Sequence, residues 1–170
     1  MLRVKSFLIP LFFHALLLGV IPWWITGGLY VRPGSLGLLA IPGSLLGLAG
    51  ILLIVRTALL FADVGQGTPS PFHPPGKLVV KGPFRWMRHP LYAGVLLIAF
   101  GEALATVSSK LLIYAVSLTV AIQLLVVIIE EPVLRKRFGD VYDVYCAKVP
   151  RWIPKLRNEA PPEQDADTPR

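Results

Sequence analysis

Gly82-Pro83-Phe84-Arg85-Trp86-Met87-Arg88-His89-Pro90-Leu91-Tyr92-Ala93-Gly94 is a short polar knot between strongly apolar stretches, and its meaning depends on a second motif downstream, Glu130-Glu131. Glu130 follows Tyr92 by 38 residues, nearly all of them apolar. A helix rises about 1.5 Å per residue and a bilayer core is about 30 Å thick, so about 20 residues cross it. Two crossings fill the gap. The spacing predicts a helical hairpin that runs out and back, returning Glu130 to the membrane face where His89 and Tyr92 lie.

The composition around the hairpin agrees with a membrane setting. Of 170 residues, 54% are hydrophobic and 16% are charged, well below the roughly 25% charged residues of soluble domains. One domain is expected at this length, spanning 1–157. The lone Cys146 excludes an internal disulfide and a cysteine-rich metal site. Three scattered histidines give no zinc pattern, so no metal is expected. The net charge of +7 does not argue for nucleic acid, because the basic residues flank apolar segments as membrane topology requires.

Four spans are expected, at about 7–26, 35–62, 90–107 and 111–129, with Ser108-Ser109-Lys110 as the tight turn of the hairpin. A cleaved signal peptide is a weaker reading of the first, since the apolar run is long and no clear small-x-small site follows. Gly43, Gly47 and Gly50 would let the second span pack closely on a neighbour. Lys and Arg cluster in alternate connections. Arg3 and Lys5 precede the first span; Lys77, Lys81, Arg85 and Arg88 sit in the long loop; Arg135, Lys136, Arg137, Lys148, Arg151, Lys155 and Arg157 follow the fourth. The other two connections hold only Arg32 and Lys110. The positive-inside rule then places both termini and the polar knot in the cytoplasm. After Pro132 an amphipathic helix over about 132–147 is expected, with Leu134, Phe138, Val141, Tyr142 and Tyr145 on one face. The acidic, Pro-rich 158–170 reads as a disordered tail. The expected fold is thus an all-α, multi-pass integral membrane protein with a cytoplasmic pocket.

Pro90 holds His89 out of helical geometry and can itself start a helix. An interfacial belt of Arg, His, Trp and Tyr would explain the knot without any chemistry. Glu130 and Glu131 could likewise serve only the next helix dipole. Neither bland explanation requires both motifs at this separation. Together they bring a carboxylate, an imidazole, a phenol and a guanidinium to one membrane face, a set suited to a polar, partly cationic ligand beside a lipid-facing cavity. Arg88, His89, Tyr92 and Glu131 are the candidates for direct chemistry.

These motifs make the chain similar to the isoprenylcysteine carboxyl methyltransferase-like family of integral membrane enzymes, relatives of the phospholipid methyltransferases. The resemblance runs from Gly65 to Pro154 and rests on Leu78-Val79, Gly82, Arg88-His89-Pro90-x-Tyr92, Gly94, Glu130-Glu131, Phe138-Gly139, Tyr142, Tyr145 and Val149-Pro150. It implies a pocket for S-adenosyl-L-methionine lined by Lys77, Leu78, Val79, Phe84, His89, Pro90, Leu91 and Tyr92, with Glu130 on the amino-acid moiety. It also implies methyl transfer to a small lipophilic or lipid-like acceptor. Gly76 and Phe84 stand where the family often has histidine and tyrosine. Val126 stands where the isoprenylcysteine enzymes carry an arginine for the substrate carboxylate, which argues against that substrate.

Arg56 lies within the second span, about 9 Å from its cytoplasmic end. It either snorkels to the interface or reaches the acceptor. Glu102 is an intramembrane carboxylate and a functional candidate by default, whereas His14 reads as a packed polar residue. Gly65-Gln66-Gly67 lacks the strand–helix context of a phosphate loop. Two other functions fit the spans. Sterol-type membrane reductases resemble the C-terminal half and use NADPH, but usually have more spans. A non-catalytic membrane protein would keep the fold alone. The methyl acceptor and the oligomeric state stay open at this level.

Overall fold

The computed structural model describes residues 13–28, 37–63 and 78–153. Every regular element among them is helical. In chain order these are α1 (Phe13–Ile25), α2 (Ala40–Asp63), α3 (Pro90–Ala105), α4 (Ser109–Phe138) and α5 (Asp140–Lys148). A short 3-10 turn, Gly82–Arg85, precedes α3. Arg3, Lys5, Arg32, Gly65-Gln66-Gly67, Gly76, Lys77 and the tail from Pro154 lie outside the described residues.

Among the described residues, two helices are long and apolar enough to cross a bilayer. In α2 the apolar stretch Ala40–Leu60 has 21 residues, about 31 Å at helical rise. α4 has 30 residues and outruns the hydrocarbon core, so its last turns carry Glu130, Glu131 and Arg135 beyond the apolar part. Only 17% and 22% of the apolar windows of α2 and α4 are buried. A core helix of a soluble protein would be mostly buried, so these surfaces call for an apolar solvent. α1 and α3 are apolar but shorter, at Phe13–Ile25 and Pro90–Ala105.

α2 and α3 make the tightest contact. A Cβ on Gly50 would lie 2.6 Å from the Gly94 carbonyl oxygen, and one on Gly101 would lie 2.7 Å from that of Gly43. Only glycine admits backbones this close. The Gly47 backbone shares this contact, with its N 2.8 Å from a Cβ built on Gly101, although a Cβ on Gly47 itself would meet nothing within 4 Å. α3 and α4 form the hairpin, with Val95, Ala99, Ala115, Leu118, Ile122 and Val126 as its buried seam. The turn begins earlier than expected: Ser108 caps α4, accepting from Leu111 N at 3.3 Å, and Ser109 is already helical.

Two prolines are absorbed by one device. Pro22 and Pro132 each follow a π turn, Leu16–Val20 and Val126–Glu130. In each, the residue before proline donates its N–H five residues back: Ile21 to Leu16 O, and Glu131 to Val126 O. The wide turn relieves the clash that proline imposes on an α-helical ladder. In α1 it leaves Leu17 O without a backbone donor, and the Tyr114 hydroxyl supplies one at 2.8 Å.

The π turn also moves a boundary. The helix expected to start at Pro132 and run to 147 is not a separate element. α4 runs through Pro132 to Phe138, and the break falls at Gly139, whose φ of +53° suits glycine. α5 then turns back and buries Tyr142, Tyr145 and, just beyond it, Val149 against Leu78, Val80, Leu134 and Phe138.

Candidate active site

The loop bearing Arg88 and His89 is fixed from the C-terminal side. Arg88 N donates to Pro150 O at 3.0 Å, and the Tyr145 hydroxyl donates to Phe84 O at 2.7 Å. Burial pushes the Tyr145 phenol far above its usual range, so it stays protonated and keeps donating. His89 is the N-cap of α3 at φ −123° and ψ 59°, outside helical geometry as Pro90 demands.

The hairpin brings Glu130 and Glu131 to this loop, one on each side of the His89 ring. Nδ1 of His89 lies 3.4 Å from Glu130 Oε1, and Nε2 lies 3.3 Å from Glu131 Oε1. Burial alone would lower the imidazole pKa. Its hydrogen bonds to the two carboxylates, and their charge, outweigh burial and hold it above the ordinary value. Glu131 is fully engaged. Arg88 Nη1 donates to its Oε1 at 2.9 Å, and Arg151 forks onto it with Nε to Oε1 at 2.9 Å and Nη2 to Oε2 at 2.7 Å. Arg88 Nη1 also reaches Cys146 Sγ at 3.1 Å. Among the described residues, three buried atoms around this cluster have no hydrogen-bond partner: Glu130 Oε2, an acceptor, Arg88 Nε, a donor, and the Tyr142 hydroxyl. Tyr92 flanks His89, with ring centroids 6.1 Å apart, and lies within reach of the Glu130 charge.

This helix order, and both motifs of the cluster, fall inside one further observation. A family model described as phospholipid methyltransferase matches residues 38–141. The chain belongs to the phospholipid methyltransferase family. The family is one of membrane methyltransferases. No curated protein and no solved structure matches the chain. The stretch shared with the phospholipid methyltransferases holds α2, α3, α4, Arg88-His89-Pro90-x-Tyr92 and Glu130-Glu131. It ends before Tyr142, Tyr145, Cys146, Arg151 and Trp152, so the clamp on Glu131 is closed by residues beyond it.

The remaining sequence candidates distribute unevenly. Val79, Phe84 and Pro90 are buried, while Leu78, Leu91 and Tyr92 are half-buried around the loop and the start of α3. Lys77 lies outside the described residues. Arg56 is exposed and makes no hydrogen bond or ion pair with described residues; its neighbour Thr57 packs inward and donates to Leu53 O at 2.7 Å. Glu102 lies 12 residues after Pro90 on α3, at the opposite end of the hairpin, where its charge acts on Tyr114.

Sequence reasoning missed Arg151, Trp152, Gln123 and Cys146. Trp152 sits beside His89 with ring centroids 5.7 Å apart, and its indole N–H donates to Gln123 Oε1 at 2.7 Å. The available signal was Val149-Pro150, a helix stop that turns the chain back, followed at once by an arginine and a tryptophan.

Proposed function

We propose that this protein is an S-adenosyl-L-methionine-dependent methyltransferase that modifies a small lipophilic or lipid-like acceptor from within the membrane. The observation that carries this is the pair of orphaned buried atoms, Glu130 Oε2 and Arg88 Nε. One is an anionic acceptor and the other a cationic donor. A zwitterionic amino-acid moiety offers their complements, an ammonium for Glu130 and a carboxylate for Arg88, and each contact would be charge-assisted. Leaving both atoms buried and unpaired is costly, so a ligand of this kind answers a demand that the fold creates.

In this reading Glu130, Arg88 and Tyr92 hold the methionine end. Leu78, Val79, Phe84, Pro90 and Leu91 line the remainder of the pocket, and the family resemblance assigns Lys77, outside the described residues, to the same lining. S-adenosyl-L-methionine supplies an activated methyl group for in-line displacement by the acceptor's nucleophile. The chain's own task is to orient the two partners, which is worth several kcal/mol in well-aligned reactions. The Lys and Arg distribution supports four spans with the cluster and both termini in the cytoplasm.

The test is calorimetry with purified full-length protein and S-adenosylhomocysteine. Glu130→Gln keeps Oε1 for His89 and removes the charge. It should weaken binding about tenfold or more, since a hydrogen bond to a charged group contributes about 1.5–3 kcal/mol. It also removes one of the two charges facing His89, so thermal unfolding of the variant is measured alongside to establish that it stays folded. Unchanged affinity in Glu130→Gln, or binding of NADPH in place of S-adenosylhomocysteine, would overturn the reading.

A further inference from the structure

Within the apolar part of α4 lie four polar side chains: Tyr114, Ser117, Thr119 and Gln123. Three have already given their hydrogen to a backbone carbonyl: Tyr114 to Leu17 O, Ser117 to Ile113 O and Thr119 to Ala115 O. Gln123 is different. An indole N–H can only donate, so the Gln123 atom 2.7 Å from Trp152 Nε1 is the amide oxygen. Both amide N–H bonds then point elsewhere, and among the described residues neither has a partner. An unsatisfied amide is costly in an apolar medium.

The location makes this amide useful. Gln123 precedes Glu130 by seven residues, roughly 10 Å deeper along α4, with the π turn Val126–Glu130 between them. Trp152 bridges it to His89 across ring centroids 5.7 Å apart. The amide therefore sits on the membrane side of the orphaned pair, where an acceptor entering from the bilayer would arrive. On α3 and the apolar part of α4 no cation competes for that acceptor. Between Pro90 and Ile129 the only basic residue is Lys110, at the far end of the hairpin. Arg151 forks onto Glu131 and Arg88 gives it Nη1, and Val126, one turn from Gln123, is apolar and fully buried.

We propose that Gln123, held by Trp152, hydrogen-bonds an uncharged oxygen of the methyl acceptor, which makes the acceptor a lipophile with a neutral polar head and not an anionic lipid. This rests on the methyltransferase reading and names the substrate class of the same site. The test compares N-dodecylacetamide with dodecanoate at neutral pH, titrated into full-length protein in nanodiscs of neutral lipid. Wild type should bind the amide more tightly than the carboxylate. Gln123→Glu still accepts from Trp152 but has no N–H to give, and it should weaken amide binding about fivefold. Gln123→Leu should do the same, and in both variants S-adenosylhomocysteine affinity should hold. Dodecanoate binding as tightly as the amide, no amide binding by wild type, or amide affinity unchanged in Gln123→Glu each overturn the proposal. Failure of wild type to bind S-adenosylhomocysteine would instead overturn the methyltransferase reading.

Discussion

Arg151→Met removes the fork that closes on Glu131. That carboxylate is 6% exposed and receives Arg151 through two hydrogen bonds, of 2.9 and 2.7 Å. Breaking a fully buried ion pair costs about 3–5 kcal/mol. Here Arg151 is itself 30% exposed, and Arg88 and His89 remain on the carboxylate. The lower range for hydrogen bonds to a charged group therefore applies, about 2 kcal/mol. For a chain of this size that lowers the melting temperature by roughly 4–8 °C, read by thermal unfolding of the full chain in nanodiscs. A double-mutant cycle sharpens the test. Arg88→Met alone leaves Arg151 on Glu131, and Arg151→Met alone leaves Arg88. With both gone, the buried carboxylate keeps only His89, so the joint cost should exceed the sum by about 0.5–3 kcal/mol. If Arg151→Met melts with the wild type, or the two effects simply add, the shared clamp does not exist as drawn.

Gly50→Ala should destabilise by about 1–3 kcal/mol, because the new Cβ would press on the Gly94 carbonyl at 2.6 Å and force α2 from α3. Gly47→Ala on the same helix meets open space and should be neutral or stabilising by up to about 1 kcal/mol; equal effects at the two sites would contradict the packing. His89 gives a pH signature. Its folded pKa lies above the ordinary 6.5, so its contribution is complete below that value and is lost as pH rises through the folded pKa. Thermal stability measured against pH should decline across that window in wild type, and the decline should vanish in His89→Gln; an identical profile in the variant would refute the charged-imidazole account.

The hairpin was legible because a bilayer fixes the length of a crossing, so 38 apolar residues between Tyr92 and Glu130 translate directly into a return path. The start of α3 was legible because Pro90 constrains its own φ and its predecessor. The boundary after Glu131 was not. Pro132 signals a helix start in isolation, yet the π turn before it lets α4 continue to Gly139, and that turn leaves no compositional mark. Arg151 and Trp152 escaped for another reason. Their partners, Glu131 and Gln123, are 20 and 29 residues away, and the angle at which α5 turns back decides whether they meet.

The two adjacent acids divide their labour through the ring between them. With each nitrogen of His89 facing a carboxylate oxygen, at 3.4 and 3.3 Å, the imidazole is stable when both nitrogens carry protons. An imidazolium has no free lone pair, so this geometry argues against His89 as a general base. It favours a positioning role: Glu131, anchored by two guanidiniums, fixes His89, and His89 fixes one oxygen of Glu130. Methyl transfer to an acceptor that is already nucleophilic needs no protein base, and a histidine with a carboxylate on each nitrogen is suited to holding a site and not to taking a proton.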